Sequence, residues 1–195
     1  MAALPSASVS CLDGKRRSAL MRAVEVLVAQ GVDSAVAGPL RLPPRAAWVD
    51  VCFLLVGRGA DLNAIDSIGE SLLTRAVRCR SEEATEVLLK LGAARDLPVP
   101  ALRSAPVLVL AAELGCYPIC RLLVEYHALV AIAGRDGRTP LRCAVERGHT
   151  RVAVLLLDVG APAEDPQLAI LAAESGCGVA LYSRLLAASG GVPAL

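Results

Sequence analysis

The stretch Asp136-Gly137-Arg138-Thr139-Pro140-Leu141-Arg142-Cys143-Ala144, followed by Gly148-His149 and closed by Gly160-Ala161, decides the fold. Thr139 is placed to cap a helix that Pro140 opens, because a proline at the first helical position lacks only a donor that has no partner there. Leu141 and Ala144 stand three apart on one helical face, and Gly148 then breaks the chain. A second helix follows, with Val152, Leu155 and Leu156 as its apolar stripe. The stretch reads as two short helices joined by a tight turn.

The same punctuation recurs along the chain. Gly59-Ala60, Gly92-Ala93, His127-Ala128 and Gly160-Ala161 follow one another at intervals of 33, 35 and 33 residues. Each closes an apolar stripe of the same spacing: Val51, Leu54, Leu55; Ala84, Val87, Leu88; Ile119, Leu122, Leu123; and the stripe ending at Leu156. Upstream, Leu73 and Ala76, and Leu108 and Ala111, repeat the spacing of Leu141 and Ala144, and the small alanine suits helices that approach closely. Pro118 is expected to open the second helix of its unit. Self-similarity at such a period marks a repeat array. Toward the amino end, Ser18 to Glu25 mimics Thr139 to Glu146, but the partner helix, 46–58, comes only after an insertion at 31–45 that holds Pro39, Pro43 and Pro44. That insertion reads as a loop, either contacting a partner or serving as a spacer. Toward the carboxyl end, Leu168 to Gly176 and Leu181 to Ala188 form a last pair, entered through a tight turn at Pro162 to Pro166. The expected fold is an all-α helical repeat solenoid of about five helix pairs with short projecting turns. Its units fall near 13–65, 66–98, 99–133, 134–166 and 167–195, after a flexible amino-terminal segment, 1–12.

Gly59-Ala60-Asp61-Leu62-Asn63-Ala64-Ile65-Asp66 and the stretch from Asp136 to Ala144 resemble the ankyrin repeat family, whose pattern of about 33 residues opens its first helix with Thr-Pro-Leu-His. The resemblance runs in phase over residues 50 to 161 and covers the rest more weakly. It implies a non-enzymatic, ankyrin-like solenoid that binds another protein through a concave face of projecting turns and first helices. Within that class an inhibitor, a scaffold and a substrate-recognising adaptor all fit. The family's histidine is missing from Ser71-Leu72-Leu73-Thr74, Pro106-Val107-Leu108-Val109 and Thr139-Pro140-Leu141-Arg142, so local hydrogen bonding is expected to be poorer than in an ideal repeat. Arg80 stands where Gly115 and Gly148 stand, and a left-handed non-glycine residue costs about 1 kcal/mol, so the second unit is expected to be the looser one. His149 occupies the family's Gly-His position, which implies a ring bonded to backbone at a turn.

Composition supports an interior built from small aliphatic residues. The 195 residues are 55% apolar, 20% charged and only 3% aromatic, which excludes disorder. A formal charge of +1 gives no electrostatic footprint for nucleic acid. No uncharged run approaches the roughly twenty residues of a membrane-spanning helix, so neither a membrane nor a nucleic-acid partner is expected. Without a secretory pattern, and with an odd set of cysteines lacking any C-x-x-C pair, the chain reads as cytoplasmic or nuclear, with reduced thiols.

Chemistry finds little purchase in this sequence. It contains no P-loop, no G-x-G-x-x-G and no H-E-x-x-H, and its two histidines are both accounted for by the repeat, so no catalytic residue, metal or cofactor is expected. A thiol-based redox sensor or enzyme is the competing class, and it requires an exposed, activated cysteine such as Cys79 or Cys177. What remains is surface. The ends of the first helices contribute Arg78-Cys79, Glu113-Leu114, Glu146-Arg147 and Glu174, and the turns contribute Ser67, Ile68, Glu70, Arg135, Asp136 and Arg138 as side chains expected to project toward a protein partner. Residues 167–195 carry only Glu174 and Arg184 as charges, against Leu168, Leu171, Leu181, Leu185, Leu186 and Leu195, so apolar surface should remain there for self-association or a docked partner.

Overall fold

The computed structural model describes residues 19–29, 45–96, 105–134, 136–165 and 167–188. Among them are ten helices in five pairs: α1 (Ala19–Ala29) with α2 (Arg45–Gly57), α3 (Leu72–Arg78) with α4 (Glu82–Lys90), α5 (Val107–Glu113) with α6 (Tyr117–Glu125), α7 (Pro140–Glu146) with α8 (Thr150–Asp158), and α9 (Gln167–Glu174) with α10 (Val179–Ala188). The fold is an all-α helical repeat. The chain divides into two compact units, Met1–Ala94 and Arg95–Leu195. In the first, α1 packs on α2, α3 and α4; in the second, α5, α7 and α9 form one row and α6, α8 and α10 the other. The 31–45 insertion and the 1–12 segment lie outside the described residues, except for Arg45 at the start of α2.

The three helix pairs from α3 to α8 are built by the same two stops, and α2 and α9 each end on one of them. After the outer helices, Gly59, Gly92, His127 and Gly160 adopt left-handed φ of 87°, 88°, 61° and 87°. Ala60, Ala93, Ala128 and Ala161 then donate back to the carbonyls of Leu55, Leu88, Leu123 and Leu156 at 2.9–3.0 Å. This arrangement satisfies the last carbonyls of the helix while reversing the chain. After the inner helices, Arg80, Gly115, Gly148 and Gly176 do the same, with Ser81, Cys116, His149 and Cys177 donating to Ala76, Ala111, Ala144 and Ala172. Arg80 thus takes the left-handed conformation, at φ 55°, that its alignment with glycines predicts. Those four alanines are 0–1% exposed, as close helix approach requires.

The starts are capped as the sequence suggests, and in one case better. Thr139 accepts from Arg142 N at 3.2 Å with Pro140 in the first turn, and Ser81 accepts from Ala84 N at 3.3 Å. At Ser71, the expectation of weaker hydrogen bonding fails: buried Thr74, standing in the family's histidine position, pairs its Oγ1 with Ser71 Oγ at 2.9 Å while its N–H donates to the same oxygen. At Pro106 the expectation holds, since no side chain caps α5. His149 Nε2 bonds Glu113 O at 3.1 Å, tying its repeat to the preceding one. Two further ties share a position 33 residues apart: Asn63 Oδ1 accepts from Ala94 N and Asp96 Oδ1 accepts from Leu129 N, both at 2.9 Å.

Two apolar assignments change. In α2, Val51 and Leu54 are exposed and Leu55 is half-buried, while Cys52 is fully buried. The helix Arg45–Gly57 is apolar around most of its circumference, so its three-and-one spacing does not single out the buried face. In the last pair, Leu168, Leu181 and Leu185 are all buried, Leu171 and Leu186 are half-buried, and Leu195 lies outside the described residues. The preceding repeat absorbs more of these leucines than expected, and the exposed large apolar residues described in this pair are Ile170, Val179 and Tyr182 instead.

Two substitutions test this architecture. Gly115 has φ +67°, and a Cβ there would lie 2.5 Å from the His149 ring, so Gly115→Ala is expected to destabilise by about 2–3 kcal/mol in urea unfolding. Leu141 is fully buried in the α7 row, so Leu141→Ala is expected to lower stability by about 2–5 kcal/mol; a loss below about 0.5 kcal/mol would contradict the register.

Candidate functional site

The turn before α3 is a small hairpin folded on an aspartate. Asp66 N and Glu70 O pair at 2.9 Å, Gly69 at φ 78° permits the reversal, and Ile65 bridges Ser71. Asp66 Oδ1 accepts from the N–H groups of Ile68 and Glu70, and its Oδ2 from Arg75 at 2.7 Å. Ser67 and Ile68 project as expected, Ile68 being 65% exposed. Glu70 does not. It is 5% exposed because Arg78 and Arg75 draw its carboxylate back against α3. Arg78 and Cys79 are exposed, and so is Ile65, which the sequence reading assigned to no site.

The turn before α7 repeats this hairpin. Gly134 N donates to Arg138 O at 3.1 Å, Gly137 is left-handed, and Asp136 Oδ1 accepts from Arg138 N at 3.3 Å. Asp136 projects; Arg135 lies outside the described residues. Arg138 and Glu146 are not free solvent-facing side chains: they form an ion pair, and both are only partly exposed. Arg142 joins them, reaching Glu146 at 2.9 Å and Asp165 of the following turn at 3.2 Å. Partial burial pushes the Glu146 carboxyl up, but hydrogen bonds from Arg142 and Arg138 outweigh it and hold the group below its ordinary range. The same Glu146 hydrogen bond holds the Arg138 guanidinium above its ordinary value. Nearby, Arg147 bridges to Glu113 of the preceding inner helix, Leu114 is half-buried, and Glu174 is exposed. The structure therefore gathers Glu113, Arg138, Glu146 and Arg147 at the ends of α5 and α7 and in the turn before α7, with Asp136 at that turn's tip.

Comparison with known proteins now bears on this geometry. Residues 108–157 match the family model described as ankyrin repeats, many copies. These residues carry ankyrin repeats. An ankyrin repeat protein of fowlpox virus is 36% identical over 117 residues, 60% of this chain and 26% of its own length. The B-cell lymphoma 3 protein homolog of Mus musculus is 32% identical over 126 residues, 63% of this chain and 28% of its own. An E3 ubiquitin-protein ligase of Drosophila melanogaster is 33% identical over 105 residues, 52% of this chain and 4% of its own. The chain thus spans little more than a quarter of the longest-covered of these relatives.

Ankyrin repeats generally mediate protein–protein interaction. Among the described residues, no group of three or more His, Cys, Asp or Glu is placed to hold a metal ion, and no helix is long and apolar enough to cross a membrane. Burial pushes the thiol of Cys120 up to about 12 and that of Cys143 up to about 11, and raises that of Cys52. Such thiols are poor nucleophiles at neutral pH. Cys177 is buried, its Sγ directed at Val145 O, so of the two cysteines named for thiol chemistry only Cys79 reaches solvent.

The Glu146 cluster has a pH signature. Its folded pKa lies below the unfolded value, so its stabilisation is complete above about pH 4.3 and is lost as pH falls through the folded value. The difference in melting temperature between wild type and Glu146→Gln should therefore be largest at neutral pH and close on acidification. A difference unchanged down to about pH 2 would show that the charge of Glu146 contributes nothing.

Proposed function

We propose that this chain is a non-enzymatic module that binds a partner protein through the concave-face residues of its second compact unit, namely the ends of α5, α7 and α9 and the turn before α7. The observation that carries this reading is the chain of ion pairs Asp165–Arg142–Glu146–Arg138, with Arg147–Glu113 beside it. Each charged side chain is held by a neighbour in the turn or the adjoining inner helix, so a partner meets groups already ordered and loses less conformational freedom on binding. The signs alternate along this surface, which favours a protein partner with interleaved charges and disfavours a uniformly anionic one such as nucleic acid. Asp136 and Arg147 are exposed and should set partner choice more than fold stability.

Scaffold, inhibitor and adaptor roles all use such a face. In the first unit, Ser67, Ile68, Arg78 and Cys79 offer a second contact of the same kind, with Ile68 as its apolar anchor.

The test is affinity capture from the source cell with wild type and with Asp136→Lys combined with Arg147→Glu. The variant should lose the captured partner while its melting temperature falls by no more than a few degrees, since exposed charge changes away from the core alter stability by only about 0.5 kcal/mol each. Undiminished capture by the folded variant would remove this face from the reading and turn attention to the 31–45 insertion.

A further inference from the structure

We infer that the turn before α3, together with the end of that helix, takes a short segment of a partner protein in which an apolar side chain stands beside carboxylates. Such a contact rests on the reading of the chain as a protein-binding module and gives the first compact unit a ligand chemistry of its own. The turns before α3 and α7 share one backbone design. Asp66 N or Gly134 N donates to Glu70 O or Arg138 O, and the left-handed Gly69 or Gly137 donates back to the residue that opened the turn. In this alignment Ile65 and Ile68 stand where the second turn has Ala133 and Asp136. The turn therefore closes without either isoleucine, yet the first turn carries both, each more than half exposed.

A lone exposed isoleucine is ordinary on any protein surface. Here two stand in one turn whose backbone is fixed in advance. Asp66 Oδ1 accepts from the N–H groups of Ile68 and Glu70, both at 2.9 Å, and its Oδ2 takes Arg75 at 2.7 Å. The chain at Ile68 is thus ordered before any partner arrives, and less freedom is lost on contact.

Charge decides which partner fits. Glu70, two residues from Ile68, draws the head group of Arg78 to the turn; its own side chain is 6% exposed, whereas that of Arg78 is 51% exposed. Asp66 is withdrawn in the same way behind Arg75, and Arg80, just past the helix, is exposed. A guanidinium carries five N–H donors in a planar fork, so the bond to Glu70 leaves Arg78 able to receive a second carboxylate. The surface is apolar at the turn and cationic at the helix end, complementary to a segment that sets aspartate or glutamate next to an apolar residue. A phosphate backbone would satisfy the arginines and leave both isoleucines without a partner.

Selection of a random peptide library on the immobilised full chain provides the test. Enriched peptides should pair an apolar residue with aspartate or glutamate. Their affinity should fall at least about tenfold on Ile68→Ser and on Arg78→Gln, each checked by circular dichroism for retained helix. Added salt should weaken binding to wild type more than binding to Arg78→Gln. Where loss of the Glu70 pair unfolds Arg78→Gln, Ile68→Ser alone carries the test, since its side chain projects from the turn. Failure to enrich any peptide, enriched peptides without acidic residues, or binding indifferent to Ile68→Ser would each overturn the inference. A random single-stranded DNA oligonucleotide that binds where no peptide does would overturn it in favour of a phosphate ligand. Peptides lost on Asp136→Lys combined with Arg147→Glu, but indifferent to Ile68→Ser, would overturn it while leaving the face on the second unit standing.

Discussion

The structure depends on a residue that leaves each short helix in left-handed conformation. With the inner helices α3, α5, α7 and α9 only seven or eight residues long, propensity alone could not hold them, because a helix that short is marginal in water. The stop at Gly115 or Gly148 turns the next N–H back to a buried alanine carbonyl, saturating the helix end and directing the chain into its partner. Because the same stop recurs after inner and outer helices, the buried alanines of α5, α7 and α9 fall on one line. Arg80 and His127 show that the geometry, rather than glycine itself, is what the fold requires. Each accepts a strained φ that neighbouring bonds hold in place.

On this frame the turns before α3 and α7 carry the same device with its polarity exchanged. In the first, an acidic turn residue, Glu70, pairs with a basic helix end, Arg78; in the other, basic Arg138 pairs with acidic Glu146. The spacing of eight residues is identical in the two, which locks the turn to its own helix. The electrostatic function is kept while the charge presented outward differs: Arg78 stands exposed at one helix end, and the carboxylate of Glu146 is enclosed by two guanidinium groups at the other.

What could be read from the sequence follows from which interactions are local. Helix pairs, the Thr139 cap, the left-handed Arg80 and the His149 tie all depend on residues near one another or one repeat apart, and the repeat fixes their phase. The surface was less legible. Glu70 in a turn looks exposed until Arg75 and Arg78, a turn of helix further on, are seen to fold over it. In the same way, Arg138 and Glu146 look like separate solvent-facing charges until the hairpin brings them together. Ile65 was missed because it belongs to the Gly-Ala-Asp run that punctuates the repeat, and its exposure follows from the bridge to Ser71. In α2, apolar residues all around the helix left the burial of Cys52 over Leu54 undetermined by pattern.

The ties between repeats change character along the chain. Asn63 and Asp96 each latch a backbone N–H of the following repeat, but the next position in that series is Leu129, which has no acceptor to offer. Beyond it, the side-chain links between the last two helix pairs combine the partly exposed ion pairs Arg142–Asp165 and Arg184–Asp158 with neutral bonds from Thr150 Oγ1 and Cys177 Sγ to the carbonyls of Cys177 and Val145. Dissolved ions screen exposed charge pairs and leave hydrogen bonds to a neutral amide largely untouched. Ionic strength therefore acts unevenly on this protein: salt weakens the ion-paired part of the fastening between the last two helix pairs while sparing the neutral bonds beside it and the Asn63 latch.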